Sequence, residues 1–195
     1  MPKLWTETVA SHRLEVREAV LDAVGELVMS RGLLAVTMSQ LAESTGIGRA
    51  TLYKYFGDVE EVLTAWHQRH VASHLAELTE IAARPADPAA RLRLVLRAYA
   101  DICRLRHRHG GDALAAALHR NDQADTYERQ LRELLAALIT EAGAAGVVRS
   151  DAPAGELADF CLHALAAAGA AKSSAAVARL VQVVWAGLTS PGGEG

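Results

Sequence analysis

The chain has 195 residues and 51% of them are apolar, which is enough to bury a core and excludes a disordered chain. Aromatic residues make up only 5% and alanine is abundant, a mix that favours packed helices over sheets. The formal net charge of −3 gives a nucleic-acid partner no support from bulk electrostatics, so such a partner has to be argued from local charge.

Nearly every segment has helical periodicity, and none keeps a period of two. The first helix is predicted over Arg13–Arg31, where Val16, Val20, Ala23, Val24, Leu27 and Val28 recur at spacings of three and four. Gly32 ends it, because glycine accepts the left-handed conformation past a helix end. Thr37 is placed to cap a short helix, Met38–Ser44. Gly46 permits a tight turn, and a third helix is predicted over Gly48–Tyr55. Gly57 breaks it, and Asp58 caps a long helix from Val59 to about Ala83. Pro85–Pro88 is the clearest break in the chain. Beyond it the helices are predicted at Ala89–Arg108, Asp112–His119, Gln123–Ala142, Ala154–Ala168 and Ser174–Leu188, followed by a disordered tail, Pro191–Gly195. The expected fold is all-α: a three-helix domain over residues 1–57 and a helical body over residues 58–195.

The segment Met1–Ala10 has no apolar run and does not read as a signal peptide, and Ala164–Ala171 is too short to span a bilayer. Cys103 and Cys161 are far apart and form no CxxC pair. A soluble, reduced, cytoplasmic protein is expected, with no membrane partner.

The stretch TMSQLAESTGIGRATLYKYF, Thr37–Phe56, carries the functional signal. Leu41, Ala42, Ile47, Leu52 and Phe56 are apolar positions able to pack two short helices against the first, Ala42 being small where they approach. That leaves Arg49, Thr51, Tyr53, Lys54 and Tyr55 on the other face of the last helix. Arg49 and Lys54 supply charge for phosphate, and Arg49 also suits a guanine edge. Thr51, Tyr53 and Tyr55 bring hydroxyls that reach phosphate oxygens. Between Ser44 and Gly57 there are two positive residues and no negative one. A helix-turn-helix that enters the major groove with its second short helix is the expected reading; an ordinary pair of packed helices is the alternative.

Residues 13–66 resemble the N-terminal domain of the TetR family of transcriptional regulators. The resemblance lies in a first helix ending R-G, in T-x-x-x-L-A-x-x-x-G-I, and in T-L-Y-K-Y-F followed by E-E-V-L. It implies a homodimer on a palindromic operator and a C-terminal body that holds an effector pocket and the dimer interface. It further implies an effector that moves the fourth helix and releases the DNA, and, as in most members, repression. By position, Thr37 and Ser39 would touch the backbone, and Arg49, Thr51, Tyr53, Lys54 and Tyr55 would line the recognition helix. Many members carry lysine where this chain has Val59, so phosphate anchoring is expected to be weaker there or supplied elsewhere, with Lys3, His12 and Arg13 as candidates.

The C-terminal half matches the family only as a helical body of suitable length. Leu157, Phe160, Cys161, Ala164, Leu165 and Ala168 mark one stripe, and Val177, Leu180, Val181, Val184, Trp185 and Leu188 another. Two such helices from each subunit would form a four-helix dimer interface; the other reading is that they face the chain's own core. Trp66, His70, Tyr99, Cys103, Leu118, Tyr127 and Leu131 are candidate lining for a pocket that takes an apolar or amphipathic small molecule. His67, His70 and His74 share a helix face, but nothing in sequence completes a metal site, and no metal or cofactor is expected. The basic run Arg104, Arg106, His107, Arg108 and His109 fits a solvated helix end better than an anion site. No GxSxG, HExxH or phosphate loop occurs, so an enzyme is not expected. A helical enzyme or carrier that keeps the motif as scaffold, and an architectural DNA binder without effector, remain the competing readings.

Overall fold

The computed structural model describes residues 3–108 and 122–189. All the regular elements there are helical: α1 Lys3–Arg31, a 3₁₀ turn Leu33–Ala35, α2 Met38–Thr45, α3 Arg49–Leu52, α4 Val59–Ala82, α5 Pro88–Arg108, α6 Asp122–Ala144, α7 Ala154–Ala166, a second 3₁₀ turn Ala167–Ala170, and α8 Ser174–Leu188. The predicted helix Asp112–His119, with Leu118, and the tail Pro191–Gly195 lie outside the described residues. The first helix starts ten residues before the predicted Arg13, because nothing between Lys3 and His12 breaks a helix and no apolar pattern is needed to continue one. The predicted Ala154–Ala168 helix tightens into 3₁₀ geometry from Ala167, just before Gly169.

Two compact units are present, Met1–His70 and Val71–Gly195. In the first, α1 presents Val20, Leu21, Val24, Leu27 and Val28 to one side, and Leu41, Leu52, Phe56 and Val62 close on them. In the second, α5 supplies Leu92, Val95, Leu96 and Ala100, α6 supplies Leu135, Leu138 and Ile139, and α7 and α8 complete the core with Leu165, Val184 and Leu188.

Local chemistry sets the element ends. Gly32 (φ 82°) and Gly46 (φ 69°) take left-handed backbone where a side chain would be strained, and so turn the chain after α1 and after α2. Asp87 caps α5 by accepting from the Ala90 N–H at 3.0 Å, with Pro88 in the first helical position, where its missing donor costs nothing. Ser173 caps α8 in the same way through the Ala176 N–H. The loop after α6 is tied to the end of α8 by the Arg149 N–H donating to the Leu188 carbonyl at 2.8 Å.

Candidate nucleic-acid interface

The helix-turn-helix is assembled by backbone chemistry before any partner is considered. Thr37 is extended (φ −135°) and its hydroxyl oxygen accepts from the Gln40 N–H at 3.2 Å, while the Gln40 side chain turns back to within 3.0 Å of that same oxygen. The cap is the predicted one; the returning glutamine is an addition to it, which the T-x-x-Q spacing of a capping box signals. At the other end of α2, the Thr45 hydroxyl donates to the Leu41 carbonyl at 2.6 Å and accepts from the Ile47 N–H, which fixes the turn at Gly46.

The recognition element is shorter as a helix than predicted. α3 spans Arg49–Leu52, and the chain then continues as a tight turn rather than a helix to Tyr55. The Lys54 and Tyr55 N–H groups reach back three residues, to Thr51 and Leu52. This tightening keeps both Leu52 and Phe56 in the core, with Phe56 at 1% exposure. The opposite face is open: Arg49, Thr51, Tyr53 and Lys54 are all exposed, Tyr53 at 47%. Among the described residues no ion pair engages Arg49 or Lys54, so their charge is undischarged within the unit. Tyr55 differs from the other candidates. It is half-buried against the first core, with the Arg13 guanidinium 5.8 Å from its ring centre. Ser39 and Thr37 are exposed at the start of α2.

The α4 start is closed by its own carboxylates. Asp58 accepts from the Glu61 N–H at 2.8 Å, and Glu61 accepts from the Gly57 N–H at 2.7 Å. With Glu60 exposed between them, this end carries negative charge and has no lysine at Val59. Of the residues weighed as compensation, His12 is exposed and sits 4.0 Å from Glu15, and Arg13 lies over Tyr55.

Of the predicted pocket residues, Trp66 and His70 belong to the first unit and Tyr99, Cys103, Tyr127 and Leu131 to the second, while Leu118 lies outside the described residues. Trp66 packs on the first core, with its indole nitrogen 3.5 Å from where a Cβ on Gly25 would lie, and His70 stacks on it with ring centres 5.4 Å apart. Tyr99, Cys103 and Leu131 belong to the second unit, where Tyr99 and Leu131 pack against the core that contains Cys103. Burial, with the Cys103 thiol beside it, holds the Tyr99 phenol above its usual range. Tyr127 is half-buried on α6. Among the described residues no group of three or more histidine, cysteine or acidic side chains could hold a metal ion.

The two stripes assigned to a partner subunit turn mostly inward. Leu157, Cys161, Leu165, Ala168, Val177, Val184 and Leu188 are buried in this chain's own core, and Ala164, Leu180, Val181 and Trp185 are partly buried against it. Burial pushes the Cys161 thiol up to about 12. Only Phe160 of the twelve is exposed, at 45%. The outward faces are instead Glu156, Phe160, His163 and Ala166 on α7 and Ala175, Arg179, Val183 and Ala186 on α8, with Val183 at 67% exposure. The Phe160 ring joins the two faces by lying 3.3 Å from where a Cβ on Gly187 would stand. No helix among the described residues is long and apolar enough to cross a membrane.

Comparison with known proteins adds an independent line. The family model for bacterial regulatory proteins of the tetR family matches residues 20–65, and the model for the C-terminal domain of SbtR-like transcriptional regulators matches residues 87–190. A helix-turn-helix-type transcriptional regulator of Mycobacterium bovis is 27% identical over 150 residues, which cover 73% of this chain and 75% of that protein. A TetR/AcrR-family regulator from Thermobifida fusca has the same fold, with a TM-score of 0.76 at 20% identity over 89% of this chain and 98% of its own. The regulator FadR from Bacillus subtilis, solved in complex with stearoyl-CoA, has a TM-score of 0.66 at 16% identity over 88% of this chain and 98% of its own.

Proposed function

Because the chain belongs to the TetR family of transcriptional regulators, we propose that it is a cytoplasmic, homodimeric repressor that holds a palindromic operator and releases it when a small amphipathic molecule binds the C-terminal unit. One observation carries the DNA half of this reading. Within eight residues, Leu52 and Phe56 are locked in the core while Arg49, Thr51, Tyr53 and Lys54 stand exposed. A short element held rigidly from behind and offering cations and hydroxyls in front is what a major groove requires. Arg49 is the candidate for base reading; Thr37, Ser39, Thr51, Tyr53 and Lys54 are candidates for the backbone. Tyr55, half-buried, contributes through its edge and its support of Arg13.

A palindrome is read by two copies related by a twofold axis. The outward faces of α7 and α8 suit that contact, because Phe160 and Val183 are exposed apolar side chains set among alanines that allow close approach. The effector class is supported by the FadR likeness, since that protein was solved with a long-chain acyl thioester. Stearoyl-CoA and free stearate are therefore the first probes.

The test starts by selecting duplexes from a random pool with the full chain. A palindromic consensus bound at nanomolar concentration, and released by one of the two probes, supports the proposal. Recovery of duplexes with no shared sequence would replace it with an architectural binder.

A further inference from the structure

We propose that Arg13 and Arg17 of α1 form a phosphate-binding pair beside the recognition turn, outside the helix-turn-helix itself; this rests on the DNA-binding reading above. The two residues are four apart, so they share one face of α1. Their guanidinium groups sit over successive rings of the turn, Arg13 at 5.8 Å from the Tyr55 centre and Arg17 at 4.7 Å from the Phe56 centre. Both distances fall within cation–π range, so the rings of Tyr55 and Phe56 hold the planar groups without neutralising them. Among the described residues no carboxylate pairs with either arginine. The neighbouring acids on α1 are occupied or turned away. Glu18 and Asp22 both pair with Arg69, at 2.6 and 2.8 Å, and Glu15 lies two residues from each arginine, on the opposite side of the helix.

A second observation points the same way. The start of α4, the next helix N-terminus after the turn, is unfavourable for an anion: Asp58 accepts from the Glu61 N–H, Glu61 accepts from the Gly57 N–H just before the helix, and Glu60 adds a third negative charge. A phosphate strand passing the turn would be repelled there, whereas cations without a carboxylate partner among the described residues stand on the turn, Arg49 and Lys54, and over its rings, Arg13 and Arg17. The pair would grip the sugar-phosphate backbone as fixed, planar donors and carry no base information.

The measurement is fluorescence anisotropy of the full-length chain on its selected duplex and on a random duplex, across a salt series. The variants are Arg13→Gln, Arg17→Met and the two together; methionine keeps an apolar stem over Phe56. Each single variant should make the slope of log K against log salt shallower by about 1, and the double variant by about 2, equally on both duplexes. Arg17→Lys should restore most of the slope that Arg17→Met loses. Arg49→Ala serves as the contrast, since it should weaken the selected duplex more than the random one. An unchanged slope in Arg13→Gln, whose exposed side chain seals no core, would overturn the inference while leaving the DNA reading intact. A loss confined to the selected duplex would overturn it too, because it would mean base reading. Failure of the unaltered chain to bind any duplex would overturn the DNA reading itself and this pair with it.

Discussion

The eight residues from Arg49 to Phe56 and the twenty-eight from Phe160 to Gly187 use their apolar side chains differently. In the recognition turn the large aliphatic and phenyl side chains are only two, Leu52 and Phe56, and both point inward, so Arg49, Thr51, Tyr53 and Lys54 are left exposed. In α7 and α8 apolar residues occur on more than one side, and neighbours have opposite fates. Phe160 is exposed and Cys161 buried; Val183 is exposed and Val184 buried. The difference is one of cost. A helix buries its richest stripe in its own chain first, because folding it there carries no loss of association entropy, and a partner receives only the face left over.

The largest effects should come from breaking the two cores. Phe56→Ala removes a ring at 1% exposure that packs with Leu52 and closes the first core, and should cost about 3–5 kcal/mol. Leu165→Ala should cost about 2–5 kcal/mol in the second. Urea unfolding followed by far-UV circular dichroism measures both. DNA affinity per folded molecule should fall for Phe56→Ala, whose ring supports the turn, and stay unchanged for Leu165→Ala. Equal loss of affinity in both would mean that the turn does not depend on its local core.

Next in size is the exposed face itself. Arg49→Ala should lower affinity for the selected duplex by about 1–3 kcal/mol if the side chain reads a base edge. It should shift folding stability by no more than about 0.5 kcal/mol, since the side chain is exposed and pairs with nothing described. A stability loss as large as the affinity loss would move Arg49 from the interface to the scaffold.

This contrast also explains what was legible in the sequence. The described helices apart from the start of α1 and the end of α3, the cap at Thr37, the glycine turns and the outward set of the recognition turn follow from local rules, which act over three or four residues and leave their mark at that spacing. Tyr55 is the exception within the turn: it is half-buried against the first core, with Arg13, some forty residues earlier, over its ring, and no local spacing reports that. The same limit leaves both readings of the α7 and α8 stripes open in the sequence, and only the fold turns Cys161, Leu165 and Val184 inward. A stripe at helical spacing says that a helix is amphipathic but not what covers it. Nor does local spacing report that the Trp66 side chain packs where Gly25, about forty residues earlier, leaves α1 without a Cβ.

A smaller effect is expected at the α2 cap. Thr37→Ala removes the oxygen that accepts from the Gln40 N–H and should cost about 1 kcal/mol of stability. Thr37→Ser should recover most of it. If Thr37 also contacts the DNA backbone, as proposed, the alanine variant should lose affinity beyond what its fraction unfolded explains, and serine should restore that as well. Full affinity in a folded Thr37→Ala chain would leave the residue as a cap and nothing more.

The smallest change in folding stability is expected at Val183. Aspartate there should shift the stability of the separated chain by no more than about 0.5 kcal/mol, because the side chain is 67% exposed. One residue on, Val184→Asp would place a carboxylate at a position with 1% exposure and no partner, and the second unit should not fold. The pair therefore separates the two roles of a single helix. If α7 and α8 join two copies through their outward faces, Val183→Asp should give a folded monomer by analytical ultracentrifugation, and its hold on a palindrome should drop to that of one half-site. A folded dimer carrying Val183→Asp would place the interface elsewhere. Cys161, Leu165 and Val184 would still not carry it, since they have no surface left to give to a second copy.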